Sequence, residues 1–247
     1  MFEIRRAGHR RWVRVCHWSL AASIFALAFS GLVILMAHPR LYWGKIGNDL
    51  TPALVQLPIS RNYKHNQLIQ RTPFFQGAAA PEDAIRTTDI WTKNSWARSL
   101  HFLGAWVMVV FSGIYLGTGF ASGHFRRHWI PHRREFTARL VWVDVVNHLR
   151  LVIEPAAGGP PYGLLQKLSY SALLFVVLPL IIWTGLAMSP ALNLAYPFLA
   201  DVLGGSQSAR TIHFACFCLF GLFIAVHVIM VMLSGFQRQM RVMTIGD

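Results

Sequence analysis

Charge is scarce in this sequence: 13% of its 247 residues are Asp, Glu, Lys or Arg, and only ten are acidic. A soluble domain carries about a quarter of its residues charged. Here 54% are hydrophobic and the mean hydropathy is +0.42, too little polar surface to cover a water-soluble globule. Cysteine is scarce too, with only Cys16, Cys216 and Cys218. Residues two apart do not face each other on a helix, so Cys216 and Cys218 make a poor ligand pair, and all three read as small apolar packing residues. A cleavable leader is not expected either, because the first apolar run is of full membrane length and ends at His38-Pro39 without a small-residue cleavage motif. That run is expected to be the first membrane span.

Long apolar runs are what the chain does have. A bilayer span needs roughly 20 of them, and four stretches qualify, at about 17–37, 99–118, 165–188 and 211–234. The connection at about 38–97 then lies on one side of the membrane and that at about 119–164 on the other. Arg5, Arg6, Arg10, Arg11, Arg14, Arg126, Arg127, Arg133, Arg134, Arg139, Arg150, Lys167, Arg238 and Arg241 put 14 of the 23 basic residues on the side of the termini. By the positive-inside rule both termini are expected to be cytoplasmic. The net charge of +13 is then mostly topology, and no nucleic-acid partner is expected.

The spans repeat. Arg98-Ser99-Leu100-His101-Phe102 opens the second and Arg210-Thr211-Ile212-His213-Phe214 the fourth, while Phe29-Ser30-Gly31-Leu32 in the first matches Trp183-Thr184-Gly185-Leu186 in the third. The expected fold is all-α, an integral membrane four-helix bundle of two helical hairpins, making one domain over 1–247. Pro179 should kink the third span. The repeat breaks at two places: His17 aligns with Ser171, and His227 with Tyr115.

Four histidines therefore stand in the spans, His17, His101, His213 and His227, and an ionisable group there is a functional candidate because hydrocarbon cannot solvate it. Fourteen residues rise about 21 Å through almost four whole turns, so His213 and His227 share a face at opposite depths. With the termini inside, His17 and His227 lie near the cytoplasm, and His101 and His213 near the outside. Two pairs of neutral imidazoles on facing helices suit axial ligation of a planar iron macrocycle, one above and one below. Zinc would want three or four ligands at one depth. No Cys-x-x-Cys-His occurs, so the haems would not be covalently attached. Gly31, fourteen residues after His17, would leave room for the ring at the other depth. Each ligand's second nitrogen should donate to a helix carbonyl one turn back or to a nearby hydroxyl.

Arg14, Arg98 and Arg210 each precede a candidate ligand by three residues, where a guanidinium could pair with a haem propionate or simply reach the interface. With Lys167 assigned to the inner connection, the spans hold no Asp, Glu or Lys, which argues against a haem-free proton or ion transporter. His124, His128 and His132 recur every four residues but sit among arginines around Pro131, as in a solvated basic loop. The stretch 139–154 reads as an interfacial amphipathic helix, whose Asn147 and His148 are candidates for a quinone site. Leu41-Tyr42-Trp43-Gly44 suits the membrane interface, and the rest of the long outer connection suits either a docking surface or an interfacial cap.

The Arg14, His17, Trp18 opening, the Ser/Thr-Gly-Leu turns, the Arg-x-x-His-Phe openings and the spacing of His213 and His227 resemble the bacterial cytochrome b561 and hydrogenase or formate dehydrogenase cytochrome b subunit family. The segment His38-Pro39-Arg40-Leu41-Tyr42-Trp43-Gly44 is more similar to the thiosulfate-reductase-type branch. The resemblance covers all four spans. It implies two haem b groups, the inner held by His17 and His227 and the outer by His101 and His213, and a quinone or quinol as substrate. It also implies a periplasmic redox partner subunit, molybdopterin, iron-sulfur or cytochrome in type, for which the chain is membrane anchor and electron conduit. The family often has a fifth span, for which the sequence to Asp247 leaves no room. A lone enzyme of the same fold, passing electrons from a small molecule such as superoxide to quinone, is the alternative.

Overall fold

The computed structural model describes residues 10–47, 51–59, 95–128, 136–149 and 163–246. Among the described residues, four helices are long and apolar enough to cross a membrane: α1 (Arg11–Ala37), α2 (Ser95–Ala121), a third running Leu164–Ala187, and α9 (Ser206–Leu233). Three of them start four to six residues before the expected apolar run and the third helix one residue before it, as hydrogen bonding carries a helix past the hydrocarbon edge into residues such as Arg11 and Arg14. Large apolar side chains, Phe25, Trp106, Val176 and Leu222 among them, remain exposed, as suits lipid-facing helices. The fold class is all-α, and the strand content described is one two-residue ladder.

The third long helix is three pieces: α5 (Leu164–Ala172), a π-helical turn at Leu173–Val177, and α6 (Leu178–Ala187). The π-turn ends two residues before Pro179, whose missing N–H and bulky ring cannot sit in a regular α-turn. The break expected at proline thus takes the form of a widened turn, with the Leu178 N–H reaching back to the Leu173 carbonyl. Lys167 corrects another expectation. It lies inside α5 and is 6% exposed, so the third membrane-length helix does contain a lysine. Asp144 on α4 (Ala138–Leu149) explains why that helix starts where it does, since its carboxylate accepts the Leu165 N–H at 2.7 Å. An acidic group at a helix N-terminus satisfies an orphan donor and meets the positive end of the dipole.

The chain divides into two compact units. One comprises Met1–Ala21, Val110–Leu178 and Leu219–Asp247. Its aromatic core is Phe125 of the short helix α3 (His124–His128), ringed by Tyr115, Phe120 and Phe175 at centroid separations of 5.6, 5.1 and 5.5 Å. Helix α10 (Phe236–Thr244) follows α9 through Gly235, whose φ of +97° permits the turn.

The other unit comprises Ala22–Val109 and Pro179–Cys218. After α1, strands β1 (Arg40–Leu41) and β2 (Val55–Gln56) pair antiparallel, Arg40 with Gln56 and Leu41 with Val55. Leu35, Leu41 and Leu57 form a small core with Val55 and Phe214 against it. Two further helices, α7 (Pro190–Ala195) and α8 (Phe198–Asp201), lead into α9, and Ala187, Ala200 and Ala209 pack where they meet. Gly44 receives the Gln207 and Ser208 N–H groups on its carbonyl and donates its own N–H to Ser208 Oγ at 2.8 Å. Gly205, at φ +120°, lets that backbone approach, because a Cβ there would lie 2.5 Å from the Gly44 carbonyl oxygen. The connection between α1 and α2 is therefore fastened to the start of α9, although 60–94 lie outside the described residues.

Candidate functional site

The four span histidines form two pairs, one in each unit. His101 of α2 faces His213 of α9 with ring centroids 6.2 Å apart and planes tilted by 58°. His17 of α1 faces His227 of α9 at 6.4 Å and 52°. Two imidazoles bound through one nitrogen each, at about 2 Å from a metal between them, have centroids roughly 6.3 Å apart. Both pairs meet that spacing. Among the described residues no group of three or more His, Cys, Asp or Glu converges on a metal position, so paired ligation is the arrangement on offer.

The repeated Ser/Thr-Gly motif explains how one pair is oriented. Ser30 Oγ lies 3.0 Å from His101 Nδ1, and Thr184 Oγ1 lies 2.9 Å from His213 Nδ1. Each hydroxyl has one proton, and each sits close to a carbonyl of its own helix: Ser30 to Ala26 at 2.6 Å, Thr184 to Leu180 at 2.8 Å. A carbonyl can only accept, so the hydroxyl proton goes there and the hydroxyl oxygen must accept from the ring. Nδ1 of both histidines then carries the hydrogen, which leaves the Nε2 lone pair for a metal. Ser30 and Thr184 are wholly buried, so water does not compete for these bonds.

The glycines complete the same device. A Cβ on Gly31 would stand 3.4 Å from His101 Cε1, and one on Gly185 would stand 3.5 Å from His213 Cε1. Ser-Gly and Thr-Gly thus each bring a hydroxyl to one edge of an imidazole and a bare backbone to another. Gly31 packs against the His101 imidazole edge. The sequence showed the motif twice, and its duty was readable only as small residues at a close approach.

The other pair has aromatic surroundings. The Phe223 ring lies nearly parallel to His227, 9° and 5.9 Å apart, and the Trp18 ring stands edge-on to His17 at 5.1 Å. Tyr170 meets Phe223 in turn at 5.8 Å.

The three arginines differ in setting. Arg14 Nη1 donates to the Thr244 carbonyl at 2.9 Å, while its Nε is buried with no hydrogen-bond partner among the described residues. Arg210 Nη2 donates to the His38 carbonyl, tying β1's approach to α9. Arg98 is exposed. Arg40, from the segment that carries the branch resemblance, is fully buried and lies over the Tyr42 ring at 6.0 Å. Asn147 is half-buried on α4, and His148 belongs to the same helix, which ends at Leu149, so 150–154 of the expected amphipathic stretch lie outside the described residues. His124 packs edge-on to Trp12 at 5.9 Å, and His132 lies outside the described residues.

A family profile described as prokaryotic cytochrome b561 matches residues 8–246. A protein of Azospira oryzae with the name "Putative protein-methionine-sulfoxide reductase subunit YedZ1" is 25% identical over 230 residues, covering 91% of this chain and 90% of that protein. No solved structure matches the chain significantly.

Proposed function

The chain belongs to the prokaryotic cytochrome b561 family, multi-pass bacterial membrane cytochromes of the b type that carry electrons, and from that premise we propose that it holds two haem b groups and links a periplasmic redox subunit to the quinone pool. His101 with His213, and His17 with His227, are the proposed axial ligand pairs. Bound haem iron supplies one-electron exchange without an open coordination position. The protein's part is to present two neutral imidazoles at the right separation, to fix their protons and to keep water away.

What supports the reading most is the hydroxyl-to-Nδ1 bond repeated at Ser30 with His101 and Thr184 with His213, beside ring separations of 6.2 and 6.4 Å. A histidine serving only as packing needs no particular tautomer, whereas a metal ligand needs Nε2 bare. Arg14 is the arginine best placed for a propionate, because its buried Nε retains a donor. Arg98 and Arg210 are proposed to act likewise for the outer group, and Gly31 to make room beside His101. Charge distribution supports cytoplasmic termini in an inner membrane, and the chain is proposed to act as a single di-haem domain over 1–247.

A partner subunit is supported by the name of the relative, which is that of a reductase subunit. The proposed partner is a periplasmic oxidoreductase of the molybdopterin class, with iron-sulfur and cytochrome subunits as other types. Quinone or quinol is the proposed membrane substrate.

The test is a reduced-minus-oxidised visible spectrum of the purified chain, with haem counted per polypeptide. Two haems with b-type bands are expected, and His213→Ala and His227→Ala should each lose one. Full haem retention by both variants would sink the ligand assignment.

A further inference from the structure

We propose that α10 is a strap that fixes the His17 side of the inner pair, with Arg14 and Trp18 as its positioning residues. This rests on the reading of His17 and His227 as ligands.

The last turn of any helix leaves carbonyls without partners inside the helix. At the end of α10 two of them find donors on α1: the Thr244 carbonyl accepts from Arg14 Nη1 at 2.9 Å, and the Met243 carbonyl accepts from Trp18 Nε1 at 3.0 Å. Arg14 and Trp18 are four residues apart, hence one above the other on a single face of α1. His17 lies between them in sequence, and the Trp18 ring stands edge-on to the His17 ring at 5.1 Å. A guanidinium at a helix C-terminus also meets the negative end of its dipole.

The chain beyond α10 is shaped to allow this contact. Gly246 has a φ of +95°, and its N–H returns to the Arg241 carbonyl at 3.0 Å. A Cβ at that position would fall 2.6 Å from Arg14 Nη1, so a larger residue would push the guanidinium away. Gly235 at the start and Gly246 at the end therefore turn α10 back onto the two residues that bracket a proposed ligand. The strap fixes how α1 presents the His17 imidazole, and with it the angle between the two ligand planes.

The experiment is electron paramagnetic resonance of the oxidised full-length chain, together with a redox titration, for wild type, Trp18→Phe and Gly246→Val. Trp18→Phe keeps an aromatic ring but lacks the donor. Low-spin ferric g-values report the relative orientation of the two imidazole planes, which a merely structural role would leave in place. The expected result is a displaced inner signal and a shifted inner midpoint in both variants, the outer signal unchanged. Arg238→Gln, an exposed α10 residue, should match wild type in both signals. An unchanged inner signal in Trp18→Phe, or equal displacement of both haems, overturns the strap. A chain whose haem content is unaffected by His227→Ala overturns the ligand reading beneath it instead.

Discussion

Replacing Thr184 with valine removes one oxygen from a fully buried site and leaves the volume nearly unchanged. The lost bond is the 2.9 Å acceptance of the His213 Nδ1 hydrogen. The ring hydrogen keeps the Ile181 backbone carbonyl as an acceptor, so the cost is that of one hydrogen bond, about 0.5–1.5 kcal/mol, and it falls on stability and haem retention. The sign of the redox effect follows from charge. An acceptor on Nδ1 makes the imidazole a better electron donor and favours the oxidised iron, so its loss should raise the outer midpoint potential. Hydrogen bonds to charged groups exceed neutral ones by about 1 kcal/mol. For a one-electron couple, where a tenfold change in equilibrium is 59 mV, that difference is about 40 mV. A redox titration followed in the visible bands would measure it, with Thr184→Ser, which keeps the hydroxyl, held near the wild-type value. A fall in potential, a shift at the inner haem, or an equal shift in Thr184→Ser would refute the reasoning.

Gly185→Ala should be tolerated, since its Cβ would sit in ordinary contact 3.5 Å from His213 Cε1, whereas Gly185→Val should displace the imidazole and lower haem content toward one per chain. The same contrast at Gly31 should act on His101 and so on the same haem, read by pyridine haemochrome assay. Lys45→Ala should change thermal stability little, by less than about 1 kcal/mol, because its 2.7 Å ion pair with Asp201 joins side chains that are 73% and 52% exposed. A melting midpoint in detergent reads that directly.

The four spans and the four histidines were legible because hydrocarbon imposes harsh rules: long apolar runs, and few ionisable groups among them. Helix periodicity put His213 and His227 on one face, since fourteen residues is close to a whole number of turns, and the alternating direction of the spans sorted all four by depth. The Ser/Thr-Gly motif was visible too, but its hydrogen bonds run between helices, to His101 from 71 residues away. No local pattern reveals such a partner. Lys167 was misplaced because a charged residue near a span's end reads as loop, whereas here it continues α5 and is buried. The role of α10 was beyond reach for a related reason. Its binding surface is backbone carbonyl, which every sequence possesses.

Ser30 and Thr184 leave no loose proton on the hydroxyls and Nδ1 atoms at the His101 and His213 pair. Each hydroxyl hydrogen is committed to a helix carbonyl and each ring hydrogen to a hydroxyl. If these two histidines hold a haem, as proposed, an electron arriving there would meet imidazoles whose protons are already placed, so its reduction should couple only weakly to proton uptake at the ligands and its midpoint should shift little with pH.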